Sequence, residues 1–252
     1  LIVIPVCSYS ERMPVNFKTH PDDIETVRIN SFDHILEEIK SSYDPLFPSD
    51  KFWWRGQVDS AWNLLPKALR AEKRSDDNAF EHKLEADRYI SIFKSKARTR
   101  LGLLQTNIQP NNNVEWVSVA QHHGLPTWLL DWSESSLTGL FFAVSSIGNG
   151  NNLEEKDAAL WRIDPRQLNA QNTISDVLYA YSKEVTDLIN ELSQTQWASK
   201  QNIAEKGKIY AVALDEIASR MLVQAAKFTL HDSDIPLNKR DYSSGLCLKS
   251  GN

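Results

Sequence analysis

Glycine is scarce in this chain. Nine glycines in 252 residues is about half the usual share of roughly 7%, which leaves little material for Gly-rich loops that cradle phosphates. No G-x-x-x-x-G-K-[ST], no G-x-G-x-x-G and no G-x-S-x-G occurs. P-loop, dinucleotide-fingerprint and nucleophile-elbow chemistries therefore lose their sequence support. Cysteine is scarcer still. Cys7 and Cys247 are too few for a disulfide framework or a Cys-rich zinc site, so a cytoplasmic location is expected. The longest apolar run, Leu137 to Val144 with Thr138 and Gly139 inside it, falls well short of the ~20 residues that span a bilayer. No membrane association is expected. An excess of positive charge is also missing: 28 Lys+Arg against 33 Asp+Glu give a net charge of -5, so no global field draws the protein to nucleic acid, and a nucleic-acid partner is not expected. The first residue is not Met, which reads as a start inside a longer product.

With 41% hydrophobic and 24% charged residues the chain has the composition of a globular domain, and the order of its patterns decides the class. Phe32, Ile35, Leu36 and Ile39 recur at helical spacing behind a candidate N-cap, Ser31. The run 51 to 57 is aromatic and reads as a short strand ending at Gly56. Asn78 to Leu101 reads as a long helix with acids early and bases late, which suits its dipole. Val114 to His123 makes a shorter helix that Gly124 ends and Pro126 keeps from resuming. Ser133 is a candidate N-cap for an apolar helix through Val144. Strands are expected at Ala158 to Ile163, Lys208 to Leu214 and Lys227 to His231, and helices at Ser175 to Leu192 and around Glu216 to Gln224. Strands and helices in mixed order, without repeats or a long linker, predict an α+β single domain whose mixed or antiparallel sheet is flanked by helices. Residues 1–45 are expected as an N-terminal extension with one helix, and 46–252 as the main domain.

Two places concentrate polar groups among aromatic ones. At Arg55 a planar fork beside a small glycine can reach a phosphate or carboxylate; an ion pair within the fold is the competing reading. Gln121, His122 and His123 end a helix, with Asp131 shortly beyond. A helix C-terminus favours a charged imidazole and an aspartate can fix its tautomer, as general acid/base chemistry requires. The competing reading makes Asp131 a cap and one histidine a satisfied core group. Adjacent histidines point to different faces, and no His-x-x-x-His or Cys-x-x-Cys completes a shell, so no metal site is expected. Glu154-Glu155-Lys156 matches a three-residue nuclease pattern that is common by chance, and the bases from Lys94 to Arg100 splay around a helix as a solvated face does. Of the tryptophans Trp53, Trp54, Trp62, Trp116, Trp128 and Trp132, most are expected in the core and at most one or two as ligand platforms.

Phe52-Trp53-Trp54-Arg55-Gly56-Gln57 with Leu65-Pro66-Lys67-Ala68-Leu69-Arg70 downstream, and Ala120 through His122-His123-Gly124-Leu125-Pro126-Thr127 to Asp131-Trp132, resemble the bacterial FRG domain, named for a Phe-Arg-Gly pattern. The likeness runs on through Leu140 to Ala143 and Ala159 to Asp164. It reaches, more loosely, Arg220 to Gln224 and Phe228 to His231. The family usually has Arg where Trp128 stands and Gly where Ala225 and Ala226 follow Gln224. The resemblance implies a protein of a bacterial defence or toxin system, phage defence included. Three functional readings stay open. In the first, the protein resembles small ADP-ribosyltransferase toxins in fold and chemistry, and binds a nucleotide such as NAD in an Arg/His/Trp-lined cleft onto which the Arg55 and His122/Asp131 segments converge. It then acts as a metal-independent ADP-ribosyltransferase or NAD glycohydrolase, with NAD as substrate and no cofactor required. The catalytic candidates are Arg55 on the pyrophosphate, His122 on the ribose or amide, and Asp131 or Glu134 opposing the charge of an oxocarbenium-like centre. Trp54, Gln57, Gln121, His123, Trp132, Gln224 and His231 are the ligand-binding candidates. In the second reading the chain is a non-catalytic module that binds a ligand or a protein partner. The third, a nuclease, is disfavoured by net acidity.

Overall fold

The computed structural model describes residues 2–6, 25–42, 52–70, 85–101, 108–109, 111–145, 156–194, 207–214 and 224–240. In chain order the elements are β1 (Ile2–Val6), β2 (Glu25–Thr26), α1 (Phe32–Ser41), β3 (Trp53–Gln57), α2 (Glu85–Leu101), α3 (Asn113–His122), β4 (Leu129–Ser133), α4 (Ser136–Val144), β5 (Ala158–Ile163), α5 (Pro165–Ala170), β6 (Leu178–Tyr179), α6 (Lys183–Gln194), β7 (Ile209–Ala213) and β8 (Ala226–His231). The class is α+β, with mixed strand pairing and flanking helices, as the sequence order implies. Two compact units make up the fold, and neither is one continuous stretch. The first is Leu1–Asn63, Trp132–Ser175 and Leu237–Asn252; the second is Leu64–Asp131 and Asp176–Pro236.

In the first unit the strand order is β2-β1-β5-β3, with Ser133 at the end of β4 paired to Trp54 on the other side of β3. β1 and β2 run parallel, and the β1–β5 and β3–β5 pairs antiparallel. Both strands before residue 30 went unread in the sequence, and β1 is bonded along its whole length to β5. α1 is capped by Ser31, whose hydroxyl accepts the His34 N–H at 3.1 Å. Its Ile35 and Ile39 pack with Ile29, Trp54 and Leu160 in one apolar cluster. α4 lies on the same face of β3 at unusually short range. A Cβ placed on Gly56 would stand 1.9 Å from the Gly139 carbonyl oxygen and 2.3 Å from the Ala143 nitrogen. The helix therefore meets the strand with its small residues, and Ser136, Gly139 and Ala143 are its buried positions. The N-cap of α4 is Ser135 rather than Ser133: Ser133 ends β4 and its hydroxyl accepts the Ser135 N–H, while Ser135 accepts from Thr138. α5, also unread in the sequence, is set by Asp164, which caps the Arg166 and Gln167 N–H groups, and by Pro165 at its first position.

The second unit orders its strands β4-β8-β7-β6, with β7 antiparallel to β8 and parallel to β6. α2, α3 and α6 are joined by side chains. Trp116 packs edge-on to Phe93 and against Ala97. Lys94 donates to Asn113, whose amide donates to Asn190 at 2.7 Å. Lys94 is thus half-buried and committed, unlike the solvated face expected of it. The single helix expected over 175–192 is instead β6 followed by α6. The reason is a local turn: Ser182 Oγ accepts the Tyr179 N–H, the Tyr179 carbonyl accepts the Ser182 N–H, and Ser182 then begins the helix by accepting from Thr186. The expected long helix is in place from Glu85 to Leu101, but its expected start at 78–84 lies outside the described residues, as do Cys7, Cys247, Glu154, Glu155 and residues 216–223. Among the described residues no helix is long and apolar enough to cross a membrane.

Candidate functional site

α3 begins at Asn112, whose side chain accepts the Glu115 N–H, and runs as a largely buried helix to His122. It ends because Gly124 takes a positive φ of 75°. The Gly124 N–H then bonds the Gln121 carbonyl at 2.9 Å and the Leu125 N–H bonds the Ala120 carbonyl at 3.0 Å, the two bonds of a Schellman stop. Lys67 reaches the same turn, its Nζ donating to the Gly124 carbonyl at 3.0 Å. The chain then turns back through Leu125 and Pro126 into β4, which brings Thr127 and Asp131 beside the last turn of α3.

A directed chain of hydrogen bonds results. The Leu129 N–H donates to Thr127 Oγ1 at 3.2 Å, the Thr127 hydroxyl donates to Gln121 Oε1, and Gln121 Nε2 donates to Asp131 Oδ1 at 2.9 Å. Thr127 is fully buried, so its hydroxyl has no water to turn to, and it fixes which end of the Gln121 amide meets the carboxylate. Asp131 is exposed. His122 and His123 follow on the same helix end with their rings 5.2 Å apart and edge to face, and His123 also contacts Phe93 at 5.9 Å. Arg70 lies within electrostatic range: burial lowers its pKa and the Asp131 charge raises it. Gln121, His122, His123 and Asp131 are thus gathered in the second unit as the sequence grouped them, and the glutamine amide is one partner of the carboxylate. Lys67 and Arg70 border the same site, with Thr127 buried beneath it, and none of the three is among the sequence candidates. Only the motif Leu65 to Arg70 hinted at the two bases, and a threonine in a turn carries no signal of its own.

The remaining candidates are distributed otherwise. Gln224 and His231 also belong to the second unit. His231 is fully buried on β8, with its Nε2 2.8 Å from Thr229 Oγ1 and its N–H on the Trp128 carbonyl. Trp128, at the position of the family's usual arginine, is likewise buried. Gln224 is half-buried beside Ala225, which takes a φ of 44°. Trp54, Arg55, Gln57, Trp132 and Glu134 belong to the first unit. Arg55 is half-buried in the middle of β3, not at its end, and is paired in register with Trp161. Gly56 does not clear a path for it, because the glycine sits on the opposite face of the strand, where the α4 backbone fills the space. Gln57 is buried and accepts the Trp161 indole N–H at 2.7 Å. Trp54 is buried with the Arg162 guanidinium 5.8 Å from its ring centre and 4.5 Å from that of Phe52. Trp132 is buried and Glu134 half-buried. Of the seven tryptophans among the described residues, Trp62 is the one that is exposed.

Residues 50–152 match the family model of the FRG domain. That span holds both β3 with its Arg55-Gly56 pair and the α3–β4 turn. No curated protein and no solved structure matches the chain.

Proposed function

From the premise that this chain carries an FRG domain over residues 50–152, we propose that it binds a nucleotide such as NAD on the surface where α3 ends and β4 begins, and cleaves or transfers from its ribosyl carbon. The observation that carries this reading is the Thr127–Gln121–Asp131 chain. It presents an exposed carboxylate whose amide neighbour is held in one orientation. N-glycosidic cleavage asks for little more. The bond from C1′ to the nicotinamide nitrogen breaks, the nitrogen takes the electron pair and leaves as neutral nicotinamide, and the sugar is left with oxocarbenium character. The Asp131 carboxylate opposes that charge, and His122 is the base for the proton released when water or a target nucleophile adds to C1′. Gln121 and His123 hold the ribose or the amide. In this reading the protein belongs to the cytoplasm of a bacterium and serves defence against phage or acts as a toxin.

The test is incubation with NAD in EDTA, alone and with cell lysate, following nicotinamide release in wild type and Asp131→Asn. Release that survives EDTA and falls at least tenfold in Asp131→Asn is expected. Equal release by both proteins would remove Asp131 from the chemistry.

One observation favours a second reading, a non-catalytic module that docks a protein. α4 turns its small residues to β3 and leaves Leu137 and Phe141 each 61% exposed, with Phe142 beside them. Large apolar side chains set outward on a helix are the usual anchors of a protein contact.

A further inference from the structure

Arg70 closes the Leu65 to Arg70 segment. A 3-10 turn over Lys67–Leu69 folds that segment back on itself, with Leu69 N–H on the Pro66 carbonyl at 3.0 Å and Arg70 N–H on the Lys67 carbonyl at 3.3 Å. The return lets Arg70 Nε donate to the Leu65 carbonyl at 2.9 Å, which fixes the plane of the guanidinium against its own loop. The loop in turn is stitched to the site by the Ala68 N–H, which donates to the Thr127 carbonyl at 3.2 Å. Backbone bonds, not a flexible side chain alone, therefore set the guanidinium beside the Gln121–Asp131 pair. Arg70 is exposed as a residue although its guanidinium is partly enclosed, and among the described residues the Leu65 carbonyl is the one hydrogen-bond acceptor that the guanidinium meets. Asp131 is near enough for its charge to act on the guanidinium, while Asp131 Oδ1 is already engaged by Gln121. An arginine anchored through Nε keeps its two terminal nitrogens as a pre-oriented pair of donors, the geometry that takes a phosphate oxygen pair in bidentate fashion.

We infer that Arg70 is the anion-binding residue of this surface, holding the pyrophosphate of the nucleotide while Asp131 beside it accepts from ribose hydroxyls. The inference rests on the nucleotide reading and assigns to Arg70 the task that the sequence alone gave to Arg55. The alternative is a surface ion pair between Arg70 and Asp131, which contributes little and needs no ligand.

Inorganic pyrophosphate and NAD are titrated separately, by calorimetry, into the whole chain and into Arg70→Gln, Arg70→Lys and Arg55→Lys, with the melting temperature of each variant recorded. Both ligands should bind wild type, and both dissociation constants should rise at least tenfold in Arg70→Gln. Arg70→Lys should recover only part of the loss, because an ammonium restores charge without the fork, and Arg55→Lys should bind as wild type does. If Arg70→Gln does not fold, the Arg70→Lys comparison carries the test. NAD binding that is the same in wild type and the Arg70 variants overturns the inference and leaves the nucleotide reading standing. Pyrophosphate binding that depends on Arg70 without any NAD binding keeps the anion site and ends the nucleotide reading. Absence of binding by either ligand overturns both.

Discussion

At the scale of single residues, the glycine of the Arg55-Gly56 pair owes its place to packing. Any side chain at Gly56 must displace the α4 backbone, since the nearest atoms are the Gly139 oxygen and the Ala143 nitrogen rather than the end of a flexible side chain. Gly56→Ala should therefore destabilise the fold by about 3 kcal/mol or more, at the upper end for an overpacked contact. Gly139→Ala should cost less, because its Cβ would meet the Leu160 and Trp54 side chains at 3.0 Å. Denaturant melts of the two variants check the order. The sequence shows the glycine but not which element crosses it, because the partner, Gly139, is 83 positions on and sits in an apolar run that reads only as a helix. Gln57 teaches the same lesson: its side chain, plausible as a ligand donor in the sequence, is occupied in the core by the Trp161 indole.

At the scale of elements, what sequence patterning announces is local chemistry. Ser31 and the Gly124-Leu125-Pro126 stop are legible because the cap or stop and the helix it bounds are neighbours in the chain. Their bonds are the ones expected of those residue types. β4 was not legible. The sequence offers Ser133 as the cap of the following helix and assigns no strand before it; the strand forms because Ser133 pairs with Trp54 and Trp128 bonds His231. Both partners are remote in sequence. The turn into β8 carries a residual strain. Ala225 sits at a φ of 44°, where an L-residue with a Cβ pays about 1–2 kcal/mol, more than the flexibility a glycine would add to the unfolded chain. Ala225→Gly should accordingly stabilise the protein by about 0.5–1 kcal/mol and raise the melting temperature by about 1–3 °C. An unchanged or lower melting temperature would show that the Ala225 methyl makes contacts worth as much as the strain.

At the scale of the whole molecule, composition and pattern order convey the class but not the partition. The two units exchange the chain at residues 63–64, 131–132, 175–176 and 236–237, and none of these crossings has the length or composition of a linker. One ion pair ties stability to pH. Asp59 accepts from Lys156 Nζ at 2.6 Å and from the Ala61 N–H at 2.9 Å. The Lys156 hydrogen bond is the main reason that the Asp59 carboxyl is held below the ordinary carboxylate range, burial acting against it. A group with a depressed folded pKa stabilises the fold above its unfolded pKa and loses that contribution as pH falls through the folded value. The melting-temperature gap between wild type and Lys156→Met should then be full near pH 6 and shrink below about pH 4. A gap that stays constant across this range would show that the pair contributes nothing through its charge.

The central claim is that a nucleotide is held where α3 gives way to β4. Titrating NAD into the isotopically labelled protein and following amide resonances, with the Gln121 side-chain NH₂ among them, tests it most directly. The account predicts saturable shifts at the Gln121 side chain and at backbone amides of Gln121 to Asp131 and of Arg70, with β3 around Arg55 undisturbed. Shifts confined to β3, or none anywhere at millimolar NAD, would contradict it.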